Sequence, residues 1–257
     1  MITSLTLLIL SLVALYIGAG WLVQGSSALA LKAKISPLVV GLTIVAFGTS
    51  APELVVSLNA TLSGQGDIAI GNIVGSNIFN IGVILGVSAT ICPLQVKKQL
   101  LRIEIPVMLA TTVLFTILFW NGTLGRTEGL FFLTGIIIYT IFSLFYSRKH
   151  GTEGSSQELE EQPKHWAVDT LAIVGGLVVL VFASRLLVDN AVSIAKELGV
   201  SEAVIGLTIV AAGTSMPELA TSIVAAYKRK TDIAIGNIVG SNLFNILTIA
   251  GSCALIH

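Results

Sequence analysis

The sequence predicts an all-α, polytopic membrane protein built from two halves of opposite orientation. Three observations carry this expectation. Charged residues make up 11% of the 257, less than half of the ~25% usual for a soluble domain. The apolar stretches run to about 20 residues each, the length a bilayer core demands. And a 41-residue segment occurs twice, at residues 41–81 and 206–246, with 28 identical positions and no gap at an offset of 165.

Eight spans are expected, near residues 4–24, 37–61, 67–93, 104–121, 128–147, 168–188, 201–227 and 231–256. The first opens Met-Ile-Thr-Ser without a basic region or small-residue cleavage site, and so reads as a spanning helix rather than a removed leader. Ser36 before Pro37 and Ser201 before Glu202 read as helix starts, and Asp67 and Asp232 as N-caps. Arg185, with Asp189 one turn on, is expected at a helix end. The layout is an N-terminal half over residues 1–147, a polar cytoplasmic linker over 148–166, and a C-terminal half over 167–257. The linker, with four Glu, Ser155, Ser156 and Pro163, reads as a solvated loop too short to fold alone.

Loop cations set the orientation. With the N-terminus outside, eleven Lys and Arg lie inside (among them Lys32, Lys34, Lys97, Lys98 and Lys228–Lys230) and three lie outside: Arg126, Arg185 and Lys196. Five spans separate one repeat from the other, and five is odd, so the second copy enters the membrane from the opposite side. Inverted repeats are a hallmark of secondary transporters, whose ion sites lie near the midplane where the repeats meet.

Each repeat places one carboxylate in a spanning segment, Glu53 and Glu218. A charged residue at the bilayer centre costs about 2.5–3.5 kcal/mol on insertion scales. A lone Glu there is explained equally well by a helix–helix hydrogen bond. Two at matched positions of an inverted pair point to a site, and two facing carboxylates suit a divalent cation. Pro52 and Pro217 precede them, and each ring withholds a donor and clashes with the carbonyl four residues back. A broken helix is therefore expected, with carbonyls released near Ala46–Gly48 and Ala211–Gly213. Thr49, Ser50, Thr214 and Ser215 add hydroxyls. Asn72, Ser76 and Asn80, and Asn237, Ser241 and Asn245, are spaced by four and share a helix face. Asn72 and Asn237 serve equally well as interhelical hydrogen bonders, while the deeper pairs are the better ligands. An all-oxygen set suits a hard cation, Ca2+ or Na+.

GTSAPEL at residues 48–54, GTSMPEL at 213–219 and GNIVGSN at 71–77 and 236–242 resemble the α-repeats of the calcium/cation antiporter superfamily, in the form typical of its sodium/calcium exchanger branch, including the small prokaryotic members. The resemblance implies a cation exchanger fold of five helices per half. It implies Ca2+ between Glu53 and Glu218, with Thr49, Ser50, Ser76, Asn80, Thr214, Ser215, Ser241 and Asn245 joining through side-chain or backbone oxygens. The carbonyls of Ala46 and Ala211 would line flanking Na+ sites, and the first helix of each half would slide over the core to switch access. Several sodium/calcium exchangers carry Asp where this chain has Asn245, which leaves two formal negative charges here. The family has ten spans; adding 165 to spans four and five predicts helices near 269–286 and 293–312, so this half is expected to lack the last two.

Zero net charge gives no argument for nucleic acid. Cys92 and Cys253 read as small buried hydrophobes, and no phosphate loop, nucleophile triad or Cys/His metal cluster is present. The expectation is a non-enzymatic Ca2+ antiporter in the cell membrane, with no cofactor and no protein partner, driven by Na+. The alternatives are H+ coupling in the same fold, or a cation channel.

Overall fold

The computed structural model describes residues 2–150, 165–205, 208–209 and 211–256. The helices are α1 (Ile2–Ala33), α2 (Pro37–Thr49), α3 (Ala51–Leu62), α4 (Gly66–Ile91), α5 (Leu100–Leu118), α6 (Arg126–Lys149), α7 (Trp166–Glu197), α8 (Met216–Tyr227) and α9 (Thr231–Ile256). Two short pieces, Glu202–Ile205 and Ala211–Gly213, lie between α7 and α8. By length and composition α1, α4, α5, α6, α7 and α9 can each cross a membrane, and α2 with α3 forms a seventh span bent by 46°. The seventh of the eight expected spans, 201–227, includes residues 206–207 and 210, outside those described. The bulk of the linker, 151–164, also lies outside them; its flanks Arg148–His150 and Trp166 are helical.

The expected first and sixth spans were too short. α1 and α7 are 32 residues each, ~48 Å at 1.5 Å per residue. Gly25-Ser26-Ser27 continues the first helix past residue 24, and small residues are needed along it: a Cβ on Gly25 would lie 2.8 Å from the Asp169 carbonyl of α7, and one on Gly18 3.1 Å from that of Gly176. The two long helices thus lie backbone to backbone, the small-residue packing favoured between helices in lipid. Arg185 accordingly sits within α7, not at its end, and Lys32 belongs to the last turn of α1. Lys32 pairs with Asp169 across the two helices, and its ammonium lies 5.8 Å from the centre of the Trp166 ring.

Ser36 caps α2 as expected, accepting from the Val39 N–H, with Pro37 at the first helical position. Asp67 and Asp232 are not N-caps: those positions belong to Gln65 and Lys230, and neither side chain makes the capping bond. Asp232 instead pairs with Lys97 from the α4–α5 loop, while Asp67 is exposed.

The repeat is visible in the elements themselves. α3 and α8, and α4 and α9, share their boundaries at an offset of 165, and both long helices widen into a π-helical turn at the same place, Asn80–Leu85 and Asn245–Ala250. α9 is the central helix. Gly236 and Gly240 seat α2 against it, and Gly251 meets Gly129 of α6. Apolar side chains such as Leu171, Phe182, Ile137 and Phe145 remain exposed on the outer faces, as lipid-facing positions require.

Candidate cation site

The breaks between α2 and α3 and before α8 fall on Ser50 (φ −83°, ψ 8°) and Ser215 (φ −88°, ψ 10°). Pro52 and Pro217 follow two residues later and lack the N–H that would continue the ladder to the carbonyls of Gly48 and Gly213. The released carbonyls are fewer than the sequence led us to expect. That of Ala46 accepts the Ser50 N–H at 3.0 Å, and that of Gly213 accepts the Ser184 hydroxyl of α7 at 2.7 Å.

Glu53 and Glu218 open the helices that follow, each 1% exposed. Their hydrogen bonds cross between the halves. The Ser50 hydroxyl donates to Glu218 Oε1 at 2.8 Å, and the Ser215 hydroxyl donates to Glu53 Oε1 at 2.9 Å. Ser215 also lies 3.3 Å from the Ser76 hydroxyl of α4. Each carboxylate is thus held by the other half of the molecule, and the two breaks are brought together.

Asn72 and Asn237 resolve as hydrogen bonders within and between the halves. Asn72 Nδ2 donates to the Glu53 carbonyl (3.2 Å) and Ser57 Oγ (2.9 Å); Asn237 Nδ2 donates to the Glu218 carbonyl (3.3 Å) and Ser222 Oγ (3.0 Å). Their Oδ1 atoms accept the hydroxyls of Thr214 (3.4 Å) and Thr49 (3.0 Å) from the opposite repeat. Both threonine hydroxyls therefore point at an asparagine.

One class of atoms is left over. Among the described residues, the buried carboxylate and amide oxygens without a hydrogen-bond partner are Glu53 Oε2, Glu218 Oε2, Asn80 Oδ1 and Asn245 Oδ1. The remaining unpartnered buried oxygens are hydroxyls, Ser241 Oγ among them. A hydroxyl can rotate to donate to its own helix; a carboxylate or an amide oxygen cannot. An unsatisfied buried acceptor costs about 1–3 kcal/mol, more when charged. These four acceptors, from Asn80 of α4, Asn245 of α9 and the two glutamates that follow the helix breaks, therefore require a donor or a cation. No cluster of three or more His, Cys, Asp or Glu occurs among the described residues, so the available ligands are mostly neutral oxygens, which suit a hard ion that must also be released.

Two asparagines outside the expected set complete the arrangement. Asn80 Nδ2 donates to Asn242 Oδ1 at 3.0 Å, and Asn245 Nδ2 donates to Asn77 Oδ1 at 2.9 Å. The four-residue spacing that singled out Asn72, Ser76 and Asn80 passes over Asn77 and Asn242. Their separation of three from Asn80 and Asn245, also a same-face spacing, was the available signal.

A model of the sodium/calcium exchanger protein family matches residues 3–145 and 168–257. The chain belongs to this family. The exchanger is 39% identical to the inner membrane protein YrbG of Escherichia coli over 262 residues, covering 100% of this chain and 81% of that protein. It is 32% identical over 288 residues to the sodium/calcium exchanger MaX1 of Methanosarcina acetivorans, covering 98% and 82%. Among solved structures it resembles the sodium-calcium exchanger NCX_Mj soaked with Na+ and Ca2+, at a TM-score of 0.86 and 34% identity, covering 99% of this chain and 82% of that one. The family and the fold together make this a multi-pass membrane protein and a cation antiporter of the calcium-exchanging type.

Proposed function

We propose that the exchanger couples Na+ entry to Ca2+ movement across the cell membrane by alternating access, with its N-terminus outside. In this reading Ca2+ binds between Glu53 and Glu218. The observation that carries it is the set of four buried acceptor oxygens without partners, two charged and two neutral. The two carboxylates match a divalent charge, and Asn80, Asn245, Ser76, Ser241, Thr49, Ser50, Thr214 and Ser215 supply or brace the remaining ligands. The carbonyls of Ala46 and Ala211 would flank the site and take Na+, that of Ala46 beside the hydrogen bond it accepts from the Ser50 N–H. Since both asparagine positions are neutral, Na+ ions neutralise at most the same two carboxylates. Ca2+ and Na+ therefore compete for shared charge, which is the basis of exchange.

The test is uptake of radioactive Ca2+ into liposomes loaded with Na+ and diluted into Na+-free buffer. Uptake that requires the outward Na+ gradient, and disappears in both Glu53→Gln and Glu218→Gln, is the expected result. Uptake driven by a pH gradient alone would replace Na+ with H+ as the coupling ion. Ca2+ current without any counter-ion would refute exchange in favour of a channel.

A further inference from the structure

Asparagine is an ambiguous ligand. Its amide presents an oxygen to a cation in one orientation and an NH2 group in the other, and the second repels the ion. Resting on the Ca2+ reading above, the orientation of Asn80 and Asn245 becomes a requirement of binding.

A chain of donors fixes it. Asn242 Nδ2 faces the Met108 sulfur of α5 at 3.7 Å, so its Oδ1 is turned toward Asn80 and accepts Asn80 Nδ2 at 3.0 Å. The Asn80 oxygen is then left pointing away, buried and without a partner. The opposite pair reaches the same result from a different anchor. Asn77 Nδ2 donates to the Asn242 backbone carbonyl at 3.3 Å, leaving Asn77 Oδ1 to accept Asn245 Nδ2 at 2.9 Å. Asn245 Oδ1 is again unpartnered. Turning either ligand amide over would set oxygen against oxygen across the helix pair. Both pairs join α4 to α9, and each is the image of the other at the offset of 165.

We propose that Asn77 and Asn242 are positioning residues that hold the amide oxygens of Asn245 and Asn80 toward the transported cation. They let a site with only two formal charges present neutral oxygens in one fixed sense. α5 takes part through Met108, so this helix bears on ion affinity without touching the ion.

The experiment is a double-mutant cycle on reconstituted protein, reading the Ca2+ concentration for half-maximal uptake, the maximal rate and the melting temperature. Asn242→Leu keeps the branched shape of the side chain and removes the acceptor, freeing Asn80 to turn; half-saturation is expected to rise at least ten-fold. An aspartate at position 80 offers an oxygen whichever way it turns. In the Asn80→Asp background, Asn242→Leu is therefore expected to change half-saturation less than three-fold, with the same loss in melting temperature as in the wild-type background. Equal increases in both backgrounds would assign Asn242 a packing role and overturn the inference. So would wild-type half-saturation in Asn242→Leu, and if Glu53→Gln is dead in the same assay the Ca2+ site itself would still stand. Wild-type protein without Ca2+ uptake under any gradient would remove both.

Discussion

At the scale of single residues, the site is governed by which oxygen atoms are satisfied. Ser50 and Ser215 each spend a hydroxyl on the opposite carboxylate. A hydrogen bond to a charged group is worth about 1.5–3 kcal/mol. Ser50→Ala is therefore expected to raise the Ca2+ concentration for half-maximal uptake about ten-fold or more, with Ser215→Ala matching it. Unequal effects would show that the two carboxylates are not equivalent ligands. Glu53, Glu218 and the Ser, Thr and Asn around them were legible in the sequence because the repeat printed them twice. Asn77 and Asn242 were not, since nothing in a helical spacing says which amide end a neighbour will hold. The destination of the Thr49 and Thr214 hydroxyls was equally hidden: they meet Asn237 and Asn72 from the other half, 188 and 142 residues away in the chain.

At the scale of elements, two kinds of contact do separate work. The long helices α1 and α7 are zipped by glycine along their length and fastened by Lys32–Asp169, whose side chains are 10% and 7% exposed. Breaking one partner of a buried pair costs about 3–5 kcal/mol. Asp169→Asn is expected to lower stability by that order and to free the two helices from one another, and the swapped pair Lys32→Asp with Asp169→Lys should recover part of it. The check is a melting curve in detergent for the single and swapped variants. The repeated glycines give a sharper contrast. A Cβ on Gly240 would stand 2.4 Å from the Leu42 carbonyl, whereas one on its counterpart Gly75 meets nothing within 4 Å. Gly240→Ala should depress the melting temperature by several degrees and Gly75→Ala by less than two, given that about 1 kcal/mol shifts a domain of this size by ~2–4 °C. Equal shifts would contradict the packing described. Glycine contacts also explain where the expected first span, ending at residue 24, fell short: α1 runs on through Gly25, which packs against the Asp169 carbonyl of α7.

For the whole molecule, inversion is the organising fact. The linker within the first repeat, Ser63-Gly64-Gln65, and that within the second, Lys228-Arg229-Lys230, belong to opposite faces if the halves are inverted. Cysteines placed at Ser63 and at Arg229, with Cys92 and Cys253 replaced, should react with a membrane-impermeant thiol reagent from opposite sides of sealed vesicles, the Ser63 position from outside. Labelling of both from one side would break the inverted arrangement, and labelling of the Ser63 position from inside would reverse the orientation.

The sequence by itself determined the membrane class, the repeat, its inversion and the two carboxylates, because each follows from local chemistry: scarcity of charge, period, parity of spans, and Glu beside Pro where lipid tolerates neither freely. Tertiary structure alone decided what each copy does with identical text. Residues 67–77 and 232–242 have the same eleven letters, yet every residue from Asp232 to Asn242 is buried at the centre of the bundle, while Gly71, Val74 and Gly75 are exposed. A helix carries its polar stripe wherever it goes. Which face meets protein, which amide is turned inward and which oxygen is left for the ion depend on neighbours that come from the other half of the chain.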